Sequence, residues 1–244
     1  TLSVAAYGRV QTPVAGEAEI VVFADPIFSN GEKSNSQLRD WVGGLGRLPH
    51  TAREAERIKQ LYPPGSVTLI VGDAATETSL LSDAARHAKI LHIATHGYFS
   101  PETPDIVGLA TSAVGDHDGF VSLTEFLSHE FSSNLVVISA CETLLGRSYD
   151  GLGVKGLAHG LLAQGASAVV GTLWKVPDRA TSELMGIFYQ NLIDLDGDVS
   201  LALTNAKREM MMSGRYRSPF YWSGFVLISE NRAASHSAFR QRSK

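Results

Sequence analysis

NLVVISA, residues 134–140, is a run of seven residues with a single serine near its end. A strand of this kind carries apolar side chains on both of its faces, so it has to be covered from both sides, as in a parallel sheet between two layers of helices. It is therefore expected to be a central strand. The flanking sequence agrees, because short β-branched apolar runs alternate with helical patterns on either side. EIVVFA (19–24), VTLIVG (67–72), KILHIAT (89–95), ASAVVGTL (166–173) and FYWSGFVLIS (220–229) read as further strands. Between them, TAREAERIKQLY (51–62), with Thr51 as N-cap and Glu54 three residues on, reads as a helix with a capping box that stops before Pro63-Pro64. TETSLLSDAARHA (76–88) reads as a helix capped by Thr76, and further helices are expected over about 154–164, 178–192 and 200–212. The fold class is α/β, a three-layer α/β/α sandwich with a mostly parallel sheet.

A chain of 244 residues suits one large domain, here residues 1–230, followed by a Ser/Arg/Ala-rich tail, 231–244, expected to fray. The formal net charge of -4 leaves none of the basic excess that phosphate backbones require, so nucleic acid is not expected as a direct partner. No apolar run reaches the roughly 18 to 20 residues of a membrane span, and the N-terminus lacks a basic stretch followed by an apolar one. The single cysteine, Cys141, allows no internal disulfide and no multi-cysteine zinc site, and it fits a reducing, cytoplasmic compartment. The chain begins at Thr1 and not at methionine, which suggests a piece of something longer.

Three patterns invite chemistry that the residues do not complete. Asp116, Asp118, Gly119, Ser122 and Glu125 fall at positions of a calcium-binding loop, but the first position is Val114, so the segment reads as a turn at Asp118-Gly119 leading through a short strand to a helix. GLGVKG, Gly151 to Gly156, is a complete G-x-G-x-x-G, with Asp178 placed 22 residues further on, where it could meet a ribose. Dinucleotide binding needs the first glycine at the turn directly off a strand. Here Cys141 and nine further residues intervene, and the match reads as accidental. His92 and His96 lie on one strand face ~13 Å apart, too far to share a metal. His92 reads as core.

His96 and Cys141 remain. Each ends an apolar strand and is followed by a loop, and in open parallel sheets ligands bind beyond the carboxyl ends of the strands. If the two strands are neighbours, imidazole and thiol face one crevice, where a histidine can convert the thiol into its nucleophilic thiolate. Gly97 has no side chain, so its N–H can approach a substrate and, with the N–H of Cys141, hold the oxyanion of an acyl-transfer intermediate. The histidine precedes the cysteine by 45 residues, close to the separation of about 50 in caspases.

These residues resemble a CHAT domain, the caspase-like peptidase domain related to separase and commonly joined to tetratricopeptide repeats. The likeness is carried by LHIATHG, DGFVSLTEF, LVVISACET, GLGVKGLAHGLLAQGASAVVGTLWKV, DRATSELMGIFYQNL and YWSGFVLIS, in family order over about 47–229. It implies a caspase-type sandwich and a cysteine endopeptidase that cuts a protein or peptide substrate with a Cys-His dyad, needing no metal, nucleotide or other cofactor. By position, His96 is the catalytic histidine, Cys141 the nucleophile and Gly97 an oxyanion donor. SACET departs from the caspase signature QAC-x-G, so a preference for cutting after aspartate is not implied. Asp178 lies where separase-like relatives carry an acidic residue in the pocket for the side chain before the cut, which implies selection of a basic residue. Its position before a helix equally suits an N-cap. The resemblance also implies a regulatory partner or an N-terminal tetratricopeptide-repeat region, and residues 142–150, mostly polar and containing Gly146, read as a mobile activation loop. A catalytically silent interaction module and a dinucleotide-binding domain using Gly151-Gly156 are the alternatives.

Overall fold

A computed structural model describes residues 19–28, 41–99, 107–113, 118–140, 147–149 and 153–229. Six strands form the main sheet: β1 (Ile20–Pro26), β2 (Val67–Gly72), β3 (Ile90–Ala94), β7 (Leu135–Ile138), β10 (Ala168–Thr172) and β11 (Phe225–Ser229). Their spatial order is β11-β10-β7-β3-β1-β2. All neighbours are parallel except β10 and β11, so the sheet is mostly parallel with one antiparallel edge. NLVVISA supplies β7, central as its apolar run requires, with Ile138 in register with Ile93 of β3. β2 lies on one side of β1 and β3 on the other. The sheet therefore reverses its direction of growth at β1 and β3, and ligand crevices form at such switch points.

Alternation along the strands divides the core into two layers. Val22, Ile90, Val137 and Val170 face α1 (Pro49–Leu61), α6 (Asp178–Asp194) and α7 (Val199–Met212). Val21, Leu91, Val136 and Val169 face the other side, covered by α2 (Glu77–Leu80), α3 (Asp83–Arg86), α4 (Leu123–Leu127) and α5 (Leu157–Ala163). Every one of these eight strand side chains is essentially inaccessible to water, and each such burial is worth roughly 1.5–3 kcal/mol. The antiparallel sheet β4 (Gly97–Phe99), β5 (Val107–Ala110) and β6 (Phe120–Ser122) extends the second layer, and β8 (Arg147–Tyr149) pairs with β9 (Gly153–Lys155) as a hairpin. The turn expected at Asp118-Gly119 is present, with Gly119 at φ +80°, followed by β6 and by α4 with its Ser122/Glu125 capping box.

Several local expectations give way to tertiary contacts. Helix α1 begins at Pro49, with Leu48 rather than Thr51 at the N-cap. The Thr51 hydroxyl donates to the Leu48 carbonyl, 2.7 Å, and accepts from the Asp25 N–H, 3.0 Å. Glu54 makes no capping box and is buried beside His92 instead. The helix expected over 76–88 is two single turns, because Ser82 accepts from Ala85 N–H and starts a second cap six residues after the Thr76 box. Val154, expected in a helix, lies in β9, and part of the presumed activation loop is β8. The rest of that loop and the tail 231–244 lie outside the described residues.

Candidate functional site

The carboxyl ends of β3, β7 and β10 open into one cavity of about 350 Å3. Gly46, Arg47, Leu48 and Thr51 line it from the approach to α1, Thr95 and His96 from the end of β3, and Ser139 and Ala140 from the end of β7. Thr172, Lys175 and Asp178 close the remaining side from the connection between β10 and α6. β3 and β7 are hydrogen-bonded neighbours, so the ends of both strands reach this cavity. Ser139 N–H extends that ladder to the Ile93 carbonyl, 2.8 Å, and the Thr172 hydroxyl donates to the Ala140 carbonyl, 2.5 Å. Cys141 directly follows Ala140 in the chain and lies outside the described residues.

His96 stands two residues past β3. Its Nε2 lies 2.7 Å from the Gly46 carbonyl oxygen. A carbonyl can only accept, so Nε2 carries the proton and Nδ1 is the free lone pair of the neutral ring. Phe28 flanks the imidazole, with ring centroids 5.4 Å apart, and the His96 carbonyl accepts from Ala110 N–H, 2.9 Å. Burial pushes the His96 pKa below the ordinary histidine value; the Gly46 carbonyl and the Asp178 charge draw it partly back, and Lys175 adds to the lowering. Gly97 opens β4 opposite Leu109 and, among the described residues, is not part of the cavity lining.

Asp178 is the first residue of α6 and not its N-cap, which is Pro177. Its carboxylate reaches across to a different helix, where Oδ2 accepts from the His50 N–H of α1, 3.1 Å. The exposed amide of a helix N-terminus is a natural partner for an anion. Burial raises the Asp178 pKa, and Glu54 adds to the rise; the His50 N–H, the His50 side chain and His96 oppose it. The structure thus brings His96, Asp178 and the residue preceding Cys141 to one cavity. Sequence reading missed the Gly46 carbonyl, Arg47, Asp25 and Lys175. For Asp25 a signal existed, an acid directly after a strand whose carboxyl end should face a ligand.

His92 is fully buried, with Nδ1 3.1 Å from the Tyr189 hydroxyl and Nε2 2.7 Å from Glu54 Oε1. It packs in the core, remote in role from His96. Gly153 of the glycine pattern lies in the β8/β9 hairpin and Gly156 caps the short helix α5, so the described part of the pattern lacks the parallel-strand turn that dinucleotide binding requires. Gly151, Val114 and Asp116 lie outside the described residues. Among the described residues no cluster of three or more His, Cys, Asp or Glu could hold a metal ion, and no helix is long and apolar enough to cross a membrane.

Comparison with known proteins bears on the fold. The Arg-specific cysteine proteinase gingipain R superposes with a TM-score of 0.52 at 12% identity, over 91% of this chain and 49% of that one. The Saccharomyces cerevisiae separase in its complex with securin superposes with a TM-score of 0.53 at 17% identity, over 89% of this chain and 12% of that one. At such identities the likeness shows the caspase-like fold. Tetratricopeptide repeat protein 28 is 25% identical in Mus musculus and 26% identical in Homo sapiens, in each case over 84% of this chain. The chain spans 9% of the length of those relatives. The CHAT domain model matches residues 2–230, and with nearly the whole sequence covered, the chain belongs to the CHAT domain family.

Proposed function

We propose that the chain is a cysteine endopeptidase that cuts a protein substrate with His96 and Cys141 and selects a basic side chain before the cut with Asp178. The observation that carries this reading is the single cavity shared by His96, Asp178 and Ala140, the residue next to Cys141. His96 Nδ1, its lone pair free because Nε2 is bonded to Gly46, takes the proton of the Cys141 thiol. The thiolate attacks the scissile carbonyl carbon, and the N–H groups of Gly97 and Cys141 hold the resulting oxyanion. The tetrahedral intermediate collapses as the C–N bond breaks, and the imidazolium returns its proton to the leaving amine. Water, deprotonated by His96, then hydrolyses the thioester and regenerates the thiol. Asp178 pairs with the substrate's ammonium or guanidinium. That one caspase-like neighbour is described as Arg-specific supports this choice of substrate.

The CHAT membership and the likeness to tetratricopeptide repeat proteins support a repeat region as regulatory partner, and a single cysteine suits a reducing cytoplasm. The test is mass spectrometry of candidate substrate proteins incubated with wild type, Cys141→Ala and His96→Ala. Cutting after Lys or Arg by wild type, reduced at least ~10³-fold in both variants, is the expected result. Undiminished cutting by both variants overturns the assignment. Partner binding without any product from wild type marks a silent interaction module instead.

A further inference from the structure

The end of β1 carries an arrangement that the reaction so far leaves unused. Asp25 has a φ of +49°, a left-handed conformation uncommon for a non-glycine residue. The β1/β2 register slips between Ala24 and Pro26, so Asp25 sits at a bulge, a device that re-aims a side chain. Its carboxylate, 5% exposed, accepts Nε of Arg47 at 3.0 Å and Nη2 at 2.8 Å. The Asp25 N–H is held by Thr51, which in turn holds the Leu48 carbonyl. The segment Gly46-Arg47-Leu48 is thereby tied to β1 at two points, and the Gly46 carbonyl is the group that meets His96.

We propose that Arg47 and Asp25 are positioning residues for His96: their two-pronged salt bridge holds the Gly46 carbonyl where it fixes the tautomer and direction of the imidazole, a role that rests on reading His96 as the catalytic base. Stability alone does not account for the pair. The Arg47 side chain is 63% exposed, so solvent weakens its attraction to the carboxylate. Two parallel N–H···O bonds to a buried acceptor instead supply direction, which a single flexible ammonium does not.

The test uses the whole chain, with ¹⁵N-labelled histidine and cleavage of a peptide containing Arg or Lys. Arg47→Ala is expected to move the His96 ring nitrogens from a pure Nε2–H pattern toward a mixture of tautomers, and to lower kcat roughly 10²-fold with KM nearly unchanged. Guanidinium salts added to Arg47→Ala are expected to restore part of the kcat, and Arg47→Lys to restore little. Asp25→Asn should reproduce the spectral change; should that variant fail to fold, Arg47→Ala decides alone. An unchanged His96 spectrum with unchanged kcat overturns the proposal, as does a rise in KM alone, which would make Arg47 a substrate contact. Wild type that cuts nothing, while its imidazole spectrum still follows Arg47, would remove the peptidase reading and leave the positioning role standing.

Discussion

His96 and Asp178 are shifted in opposite senses by the same cause, burial beside one cavity. For His96 the folded state favours the neutral ring, so its contribution to stability is whole above the ordinary value of 6.5 and is lost as pH falls through that value toward the lowered one. In kinetics, a base that needs its free lone pair should keep kcat/KM on its plateau to a pH below the usual histidine range. A pH–rate profile of the wild type checks this. For Asp178 the folded state favours the protonated carboxyl, so its contribution is present below 3.8 and is lost as pH rises through the raised value. Asp178→Asn should therefore melt no lower than wild type at pH 7, with its gain shrinking by pH 4. Its kcat/KM for a substrate with Lys or Arg before the cut should still fall roughly 10²–10³-fold, because a buried charge pair loses one member. Thermal melts at the two pH values and steady-state kinetics measure the two effects separately. The sequence singled out His96 by its place at a strand end and Asp178 by the family resemblance, and both line the cavity. Their partners were not legible there, since a backbone carbonyl at Gly46 and an amide at His50 carry no side-chain signature.

Strands and caps that depend on neighbours in the chain follow the sequence closely, as the Thr76 and Ser122 capping boxes show. Those that answer to distant partners do not. Thr51 and Glu54 have the spacing of a capping box, yet the bulge at Asp25 claims the first and His92 the second. Val154 carries helical spacing but pairs with Ser148 in the hairpin, a contact that local pattern does not contain. Gly165 illustrates the same dependence in testable form. It follows α5 at φ +113°, and a Cβ there would sit 2.2 Å from the Phe131 carbonyl oxygen, inside the contact that anchors the segment before β7. Gly165→Ala should destabilise the fold by about 2 kcal/mol or more, read as a lowered urea midpoint with the slope unchanged.

Between the sheet and its helical cover, Glu54 of α1, His92 of β3 and Tyr189 of α6 form a polar group sealed from water. Among the described residues no well-directed hydrogen bond reaches either Glu54 oxygen, so the short approach of His92 is its main compensation there. Removing one member of such a pair leaves a buried polar group alone, and His92→Leu or Glu54→Leu should each cost about 3–5 kcal/mol. The double variant should cost clearly less than the sum, and chemical denaturation of all four proteins closes the cycle. A histidine in an apolar strand announced core packing, but its carboxylate partner 38 residues upstream was invisible until the layers were assembled.

The cavity draws its walls from Gly46, Thr95, Ala140 and Thr181, four stations spread along most of the polypeptide. A ribosome that has released the histidine and the cysteine has still not made the helix that completes the enclosure. Until that helix is added the cavity lacks one wall, so the substrate binding proposed for it has to wait for α6.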